Sequence, residues 1–220
     1  MFRLAPVFFA LILLSGPVRG GTEITAPDII ISVREQRLVL VQDGGQVATY
    51  PISTSKFGLG DRWGSMATPL GFFQVAQKIG DHAPVGAVFH NRRFTGEILP
   101  PNAPGRDPVI TRIIWLRGLE RANSHAFRRC IYIHGTPEEK LIGQPASYGC
   151  IRMKSSDVAA LYNQLSLGAL VQIVPDRLPK LSKVKTSRTM PMEAHQPSGI
   201  IAPAAKSAAS ERGLHWPGHA

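Results

Sequence analysis

The stretch IYIHGTPEEKLIGQPASYGCIRM, residues 131–153, contains the side chains that decide both the fold and the chemistry of this chain. It opens with an apolar strand pattern that ends at His134, and its last segment contains Cys150. A cysteine acts as a nucleophile in its thiolate form, and a neighbouring imidazole can take the thiol proton. Because a loop that returns beside the end of a strand can bring the two side chains together, the stretch indicates acyl transfer through a thioester.

The residues next to Cys150 add backbone chemistry to this hypothesis. Gly149 permits a positive φ or a close approach of the backbone. A loop that runs into the start of a helix would aim N–H groups at the thiolate, lower its pKa and form an oxyanion hole. On these residues alone, a buried structural cysteine together with a hydrogen-bonded histidine remains the alternative.

The combination HGT…ASYGCIRM resembles the signature of the L,D-transpeptidase family, also called the YkuD or ErfK family. That signature joins a His-Gly or His-Ser pair, after a gap of similar length, to Ser/Thr-His-Gly-Cys-hydrophobic-Arg/Asn. The resemblance covers residues 28–177 and implies a mainly β catalytic domain, a β-sandwich of mixed sheets with a short α-helix after the cysteine loop. Other pieces that look like the family occur in its order: the strands from Ile29, PISTS at 51–55 with Gly58 and Gly60, TPLGF at 68–72, and NRR at 91–93.

The resemblance implies a role for each matching residue of the motif. Cys150 matches the nucleophile and His134 the general base, and the carbonyl group of Gly135 matches the position that orients the base. The backbone N–H groups of Tyr148, Gly149 and Cys150 would hold the oxyanion of a tetrahedral intermediate. We therefore expect the catalytic pair and its oxyanion hole within this one stretch.

Three more positions of the motif concern substrate binding. Ser147 matches the small hydroxyl position, and Arg152 follows the hydrophobic residue of the motif, where it could position a substrate carboxylate. For Arg152, a structural salt bridge under the cysteine loop is an equal alternative. Tyr148 departs from the family, which usually has a histidine there. Since the usual role of that histidine is secondary, we expect acylation to persist, with an altered activation of Cys150 or an altered choice of acyl acceptor.

The implied reaction belongs to the cell wall, with roles in its biogenesis and in cell shape. Cys150 would attack the peptidoglycan stem peptide at the carbonyl between its third residue and D-Ala, and His134 would protonate the departing D-Ala. An amine of another stem, or of an envelope protein, would resolve the thioester and give a 3→3 cross-link or an attached protein. No metal and no organic cofactor is implied.

Two other classes of function remain open at this stage. The same Cys–His pair could release the acyl group to water, as an L,D-carboxypeptidase or as an amidase that frees wall proteins. A non-catalytic peptidoglycan-binding module is the second alternative, and it would use the basic surface. Nucleic-acid binding is suggested only by the net charge of +10, and no helix-turn-helix or RNP-like pattern supports it.

Composition limits the range of folds. The 220 residues are 44% hydrophobic, which excludes a fully disordered chain and allows one domain with a proper core. The 21 glycines and 18 prolines favour a turn-rich, strand-rich fold over a helical bundle. Two cysteines exclude a disulfide-stapled scaffold and a four-cysteine zinc site.

The two ends of the chain differ from its middle. A basic start, the apolar run at 4–14, a helix break and small residues before Gly20 predict a signal peptide over residues 1–20. The chain is then expected in the periplasm or cell envelope, with no transmembrane segment after cleavage. Residues 178–220 are rich in Pro, Ala, Ser and Lys and predict a basic, disordered tail.

Several local predictions can be compared directly with a structure. A helix is expected from an N-cap at Ser155 or Ser156 to Gly168, with its apolar positions at Val158, Leu161, Tyr162 and Leu165. Residues 77–111 are expected to form a long insertion, rich in Gly, Pro and charged residues, with short strands such as Val85–Phe89. Cys130 is expected as a buried, free thiol, beyond bridging distance of Cys150 if Cys150 contacts His134.

Overall fold

The structure, a computed structural model, describes residues 26–182. The predicted signal peptide at 1–20 and most of the predicted tail at 178–220 lie outside the described residues. The start of that tail is described, and Leu178 and Leu181 pack there against Ile30, Val39 and Val41. The packed part of the chain therefore continues beyond residue 177.

Strands dominate the described part of the chain. Its ten strands form one continuous hydrogen-bonded network, and one α-helix and two short 3₁₀ turns, Arg121–Asn123 and Glu139–Leu141, complete it. In chain order the elements are β1 Ile29–Ser32, β2 Arg37–Gln42, β3 Gly45–Pro51, β4 Gly71–Ile79, β5 Ala87–His90, β6 Arg93–Ile98, β7 Val109–Gly118, β8 Tyr132–Gly135, β9 Ile151–Met153, α1 Ser155–Gln164 and β10 Leu170–Val174.

The sheet is mixed and branches at β7. Its main path runs β3-β2-β1-β10-β4-β7-β5-β6, while β8 pairs with β7 and β9 pairs with β8. The pairs β1–β10 and β8–β9 are parallel, and the other pairs are antiparallel. The predicted mainly β fold with mixed pairing and a short α-helix is thus confirmed.

One main hydrophobic core joins most of the strands to the helix. Apolar side chains at alternate strand positions face inward because successive residues of a strand point to opposite faces. Helix α1 contributes the fully buried Val158 and Leu161 to the same core. The strand residues of this core include Ile29, Ile31, Leu38, Leu40, Phe73, Val75, Ile114, Leu116, Ile133, Ile151, Met153, Val171 and Ile173.

Helix α1 packs as its sequence predicts, but its ends lie elsewhere. The N-cap is Lys154, and the N–H of Ser155 donates to Glu139 Oε1 at 2.8 Å, so neither serine supplies the cap. The helix ends at Gln164, whereas Gly168, at φ +88°, lies in the turn before β10. Strand β9 separates Cys150 from the helix. The expectation that a helix N-terminus follows the cysteine loop directly was therefore wrong.

Residues 77–111 contain more strand than the sequence predicts. The expected short strand at Val85–Phe89 overlaps β5, whereas β6, which forms a hairpin with β5, and the extensions of β4 to Ile79 and of β7 from Val109 were not predicted. The sequence hides β6 because this strand is largely exposed and lacks the alternation of apolar and polar residues that marks a half-buried strand.

Candidate active site

The parallel pair β8–β9 places the motif residues. Its register aligns Ile133 with Ile151 and His134 with Arg152. Since neighbouring residues of a strand point to opposite faces, the isoleucines enter the core while His134 and Arg152 share the other face. Cys150 precedes β9 by one residue and continues that second face. Two short strands therefore bring residues from both ends of the motif together.

That face opens into a cavity of about 370 Å³. The cavity contains four of the residues that the sequence singles out, together with Asp107 and Val109 from the segment leading into β7. The four are His134, Tyr148, Cys150 and Arg152. Of the other predicted positions, Gly135 and Gly149 act there through their backbones, and Ser147 lies beneath the loop.

His134 is held in one tautomer by its neighbour. Its Nδ1 lies 2.7 Å from the carbonyl oxygen of Gly135. Because a carbonyl only accepts, Nδ1 carries the proton and Nε2 keeps a free lone pair. Burial lowers the pKa of His134 to about 4, partly offset by the bond to Gly135, so the ring is neutral at neutral pH. This geometry matches the orienting role that the resemblance implies for Gly135.

The thiol of Cys150 rests against the beginning of β8. Its Sγ donates to the carbonyl oxygen of Cys130 at 3.3 Å and accepts the N–H of Tyr132 at 3.4 Å. Burial raises the pKa of Cys150 to about 11, so the resting thiol is protonated. Among the described residues, no hydrogen bond joins this thiol to His134. The two groups share a cavity without being engaged with each other.

Cys130 is closer to the nucleophile than its sequence position suggests. Its carbonyl oxygen touches the Cys150 thiol, and its own side chain is half-buried, at φ +58°, with both cysteines free. The distance argument assumed that Cys150 lies beside His134. That assumption was wrong, because the thiol points to the beginning of β8 and not to its end.

Hydrogen bonds inside the cysteine loop fix its shape. The Ser147 hydroxyl is buried, donates to the carbonyl oxygen of Cys150 at 2.5 Å and accepts the N–H of Gly149 at 3.2 Å. The Thr68 hydroxyl donates to the carbonyl oxygen of Gly149 at 3.1 Å. A side chain at Gly149, where φ is +120°, would start 3.3 Å from the carbonyl oxygen of Ala67. The hydrogen bonds of the Ser147 hydroxyl therefore go to the backbone of the cysteine loop and not into the cavity, where a substrate would bind.

The same loop offers two backbone donors to the cavity. The Gly149 N–H is engaged with Ser147, whereas the N–H groups of Tyr148 and Cys150 have no acceptor among residues 26–182. Unpaired N–H groups beside a nucleophile are the components of an oxyanion hole. Of the three predicted donors, these two are available.

Arg152 is buried and paired with two carboxylates. Its guanidinium forms ion pairs with Asp107 and with Glu138, the latter at 3.2 Å. Asp107 also accepts the Thr136 hydroxyl at 2.5 Å. These contacts favour the salt-bridge alternative for Arg152 over direct substrate binding. The acidic partners lie far from Arg152 in sequence, and nothing in the motif identifies them.

Tyr148 stands on the rim of the cavity. Its side chain is 56% exposed, and its ring lies 5.6 Å from the Phe57 ring, centroid to centroid. Lys56 Nζ lies 3.2 Å from the Tyr148 hydroxyl and 4.5 Å from the ring centroid. The residue that replaces the usual histidine of the family is thus held by neighbours outside the cavity.

Sequence analysis missed a buried ion pair that supports the segment packed against the cysteine loop. Arg129 donates to Asp61 at 2.8 Å and to the carbonyl oxygens of Gly60 and Ala67 at 3.1 and 2.8 Å. Ala67 is the residue against which Gly149 packs. These contacts of Arg129 join segments that are more than sixty residues apart, and no local sequence pattern predicts them.

Two general properties concern residues 26–182 only. No group of three or more His, Cys, Asp and Glu side chains there is arranged to hold a metal ion. No helix in that range has the length and apolar character needed to cross a bilayer.

Comparison with known proteins places these features in a family context. The family model of the YkuD L,D-transpeptidase catalytic domain matches residues 26–173. YcfS of Escherichia coli strain K12, described as a probable L,D-transpeptidase, is 28% identical over 199 residues, which are 81% of this chain and 56% of YcfS. The chain thus spans little more than half the length of that relative.

The chain is also similar to solved structures of L,D-transpeptidases. That of Xylanimonas cellulosilytica (residues 123–326) is 20% identical, with a TM-score of 0.43, and the match covers 66% of this chain and 59% of the other. That of Mycobacterium smegmatis is 19% identical, with a TM-score of 0.43 and coverages of 67% and 59%.

Proposed function

The chain belongs to the YkuD family of L,D-transpeptidase catalytic domains, and from that premise we propose that it is an exported cysteine acyltransferase of the cell wall. Its substrate is a peptidoglycan stem peptide, and its products are D-Ala and a 3→3 cross-link or an attached protein. The observation that carries the proposal is the β8–β9 pair, which places His134 and Cys150 at one cavity.

Acylation begins with a change in the direction of the thiol. The Cys150 Sγ leaves the carbonyl oxygen of Cys130 and turns towards His134 Nε2, which accepts its proton while sulfur attacks the carbonyl carbon of the third stem residue. The oxyanion receives the unpaired N–H groups of Tyr148 and Cys150. The carbonyl of Gly135 keeps the imidazole oriented as it becomes charged.

Release and transfer return the site to its resting state. The bond from the carbonyl carbon to the nitrogen of D-Ala breaks, and His134 gives that nitrogen the proton taken from the thiol. The remaining thioester is attacked by a side-chain amine of a second stem or of an envelope protein. His134 takes the amine proton and returns it to Cys150 as the carbon–sulfur bond breaks. Each proton is thus accounted for by one base.

The pKa values explain why the resting thiol is inert. With the pKa of Cys150 near 11 and that of His134 near 4, a thiolate–imidazolium pair is scarcely populated in the free protein. Such a pair forms in the substrate complex, where the developing oxyanion and the departing amine use the transferred charge. Activation by substrate would protect an exported thiol from other electrophiles.

The proposal extends to the location of the enzyme. The segment 1–20 directs export, residues 28–177 form the catalytic domain, and the basic tail from 178 remains in the periplasm or cell envelope. There the enzyme contributes to cell-wall biogenesis and cell shape.

The test uses the protein without residues 1–20, incubated with a disaccharide-tetrapeptide and analysed by mass spectrometry. We expect a dimer with loss of one D-Ala, and an acyl-enzyme at Cys150. Cys150→Ala should abolish both, and His134→Gln should slow both strongly. His82→Gln, at an exposed histidine, is the matched control and should behave as the unmodified protein.

Each other result identifies a different function. Tripeptide without dimer would assign the carboxypeptidase alternative, with water as acceptor. Cross-linking that survives in Cys150→Ala would contradict the thioester mechanism. No Cys150-dependent product would contradict the assigned acyl donor.

A further inference from the structure

A second, smaller cavity of about 240 Å³ adjoins the nucleophile. It shares Val109 with the catalytic cavity, and its wall includes Tyr132 and Cys130. The N–H of Tyr132 and the carbonyl oxygen of Cys130 hold the resting thiol of Cys150. The two cavities are therefore neighbours at Val109, and the two residues that hold the thiol line the second cavity.

Arg92 is the charged residue of this second cavity. Its guanidinium lies over the Trp115 ring, 5.0 Å from the centroid, and its Nη1 is 3.8 Å from Cys130 Sγ. No carboxylate of the described residues lies within ion-pair distance of it, whereas Arg129 and Arg152 each have acidic partners. Arg92 thus carries a positive charge without an acidic partner among the described residues, next to the side chain of Cys130.

The neighbours of Arg92 complete a site for an anion. Tyr132 lines the same cavity as Arg92, and its hydroxyl raises the pKa of Arg92. Burial raises the pKa of Tyr132 as well, so its hydroxyl keeps a proton to donate. Asn91 and Arg92 form the tight turn between β5 and β6 at φ +47° and +65°. Positive φ at both residues is the geometry of a two-residue type I′ hairpin turn, and this turn positions Arg92 at the cavity.

We propose that Arg92 and the Tyr132 hydroxyl form a subsite that binds a carboxylate of the stem peptide. The inference rests on the proposed function, because a stem peptide is what brings a carboxylate to this place. A guanidinium presents two parallel N–H donors that match the two oxygens of a carboxylate. Arg92, and not the acid-paired Arg152, is then the arginine that recognises the substrate.

Cys130 contacts both the guanidinium and the nucleophile. Its side-chain sulfur lies 3.8 Å from Arg92 Nη1, and its backbone carbonyl oxygen lies 3.3 Å from the Cys150 thiol. The carboxylate of the departing D-Ala lies three bonds from the scissile carbonyl. A diamino acid at the third position can carry another carboxylate on its side chain. Both groups have the same chemistry, and the experiment separates them.

The first measurement compares acylation by the unmodified protein with that by Arg92→Gln. We expect kcat/KM to fall about tenfold, the effect of losing one charge-assisted hydrogen bond, mainly through KM. Arg92→Lys keeps the charge and should recover part of the loss. Arg93→Gln removes the same charge one residue later, at an exposed position, and should leave kcat/KM unchanged.

The second measurement repeats the comparison with substrates that lack one carboxylate. If Arg92 binds the D-Ala carboxylate, the C-terminal amide should react slowly and Arg92→Gln should slow it no further. If Arg92 binds the side-chain carboxylate, the substrate amidated at that carboxylate should react slowly instead, and Arg92→Gln should slow its reaction no further. Equal and additive losses with every substrate would overturn the subsite.

A binding experiment separates this inference from the proposed function. In Cys150→Ala, which cannot react, ¹⁵N chemical shifts of the Arg92 guanidinium should respond to N-acetyl-D-alanine, or to an N-acetylated diamino acid with a free side-chain carboxylate, and not to the matching amide. Absence of acyl-enzyme in the unmodified protein would end the proposed function yet leave this result interpretable. Identical behaviour of Arg92→Gln and Arg93→Gln in both assays would reject the inference.

Discussion

The two faces of the β8–β9 pair differ in the contacts that hold their side chains: apolar packing on one face and polar contacts on the other. On one face, Ile133, Ile151 and Met153 are fully buried in the main core and contact apolar neighbours. On the other, His134 and Arg152 are also buried, yet His134 Nδ1 and the Arg152 guanidinium each have a polar partner. The same two strands therefore supply the centre of the core and the floor of the candidate active site.

This difference shows how so short a strand pair can hold catalytic groups in place. The apolar face determines the register, because a shift by one residue would move every side chain to the wrong face. Hydrogen bonds and ion pairs then set the orientation of each polar group on the other face. Packing decides where the groups lie, and their partners decide which way they point.

The largest expected loss of stability comes from the polar face. Arg152→Gln would leave Asp107 and Glu138 without their guanidinium, and breaking a buried ion pair costs about 3–5 kcal/mol. Urea unfolding measures it. Glu138→Gln is the control: its side chain is 38% exposed, so it should cost no more than about 1 kcal/mol. If Arg152→Gln lowered the free energy of unfolding by less than about 1 kcal/mol, the stability of the polar face would not depend on the ion pairs of Arg152.

The apolar face should respond through packing alone. Ile133→Ala removes a fully buried side chain, and such truncations cost about 2–5 kcal/mol. The folded fraction should still acylate at the normal rate, since the backbone of β8 stays in register. Unfolding free energy and acylation per folded molecule check the two parts. A large fall in rate per folded molecule would show that the two faces are not separable.

Acid should weaken the polar face specifically. Because burial lowers the pKa of His134 from 6.5 to about 4, the unfolded chain binds a proton that the folded protein does not. The free energy of unfolding therefore falls as pH falls from 6.5 towards 4, by roughly 3 kcal/mol for this group. Unfolding at neutral pH and near pH 4 should reveal it. His134→Gln should lack this component, whereas His82→Gln should retain it.

Much of this architecture was predictable because local pattern and tertiary packing agree. The strands around Ile29 and Leu38 follow from their continuous apolar runs, and the buried face of α1 follows from its helical periodicity. His134 and Cys150 were identified by their motif, and the structure brings both to one cavity. Their catalytic roles stay predictions until the acylation experiment.

The rest depends on contacts between distant segments. Asp61 meets Arg129, and Asp107 meets Arg152, only because the sheet has folded, and no spacing rule connects either pair. The direction of the Cys150 thiol is a rotamer choice, and it depends on the carbonyl of Cys130. A motif identifies which residue reacts, but it does not determine the resting direction of its side chain.

The smallest expected effect concerns the rim that joins neither face. Tyr148→His restores the residue usual in the family at a position 56% exposed, so it should change the unfolding free energy by no more than about 0.5 kcal/mol. Acylation should change little, because the resting thiol is held by Cys130 and Tyr132. Tyr148→Phe, which removes only the hydroxyl near Lys56, is the matched control. If Tyr148→His alone raised the acylation rate by about 10²–10⁴, the size of a general acid–base contribution, the unmodified rim would lack a group that transfers protons. The rim at position 148 would then be a third part of the catalytic site, beside the two faces of β8–β9. The ratio of dimer to tripeptide among the products would show whether the histidine takes the proton of the incoming amine.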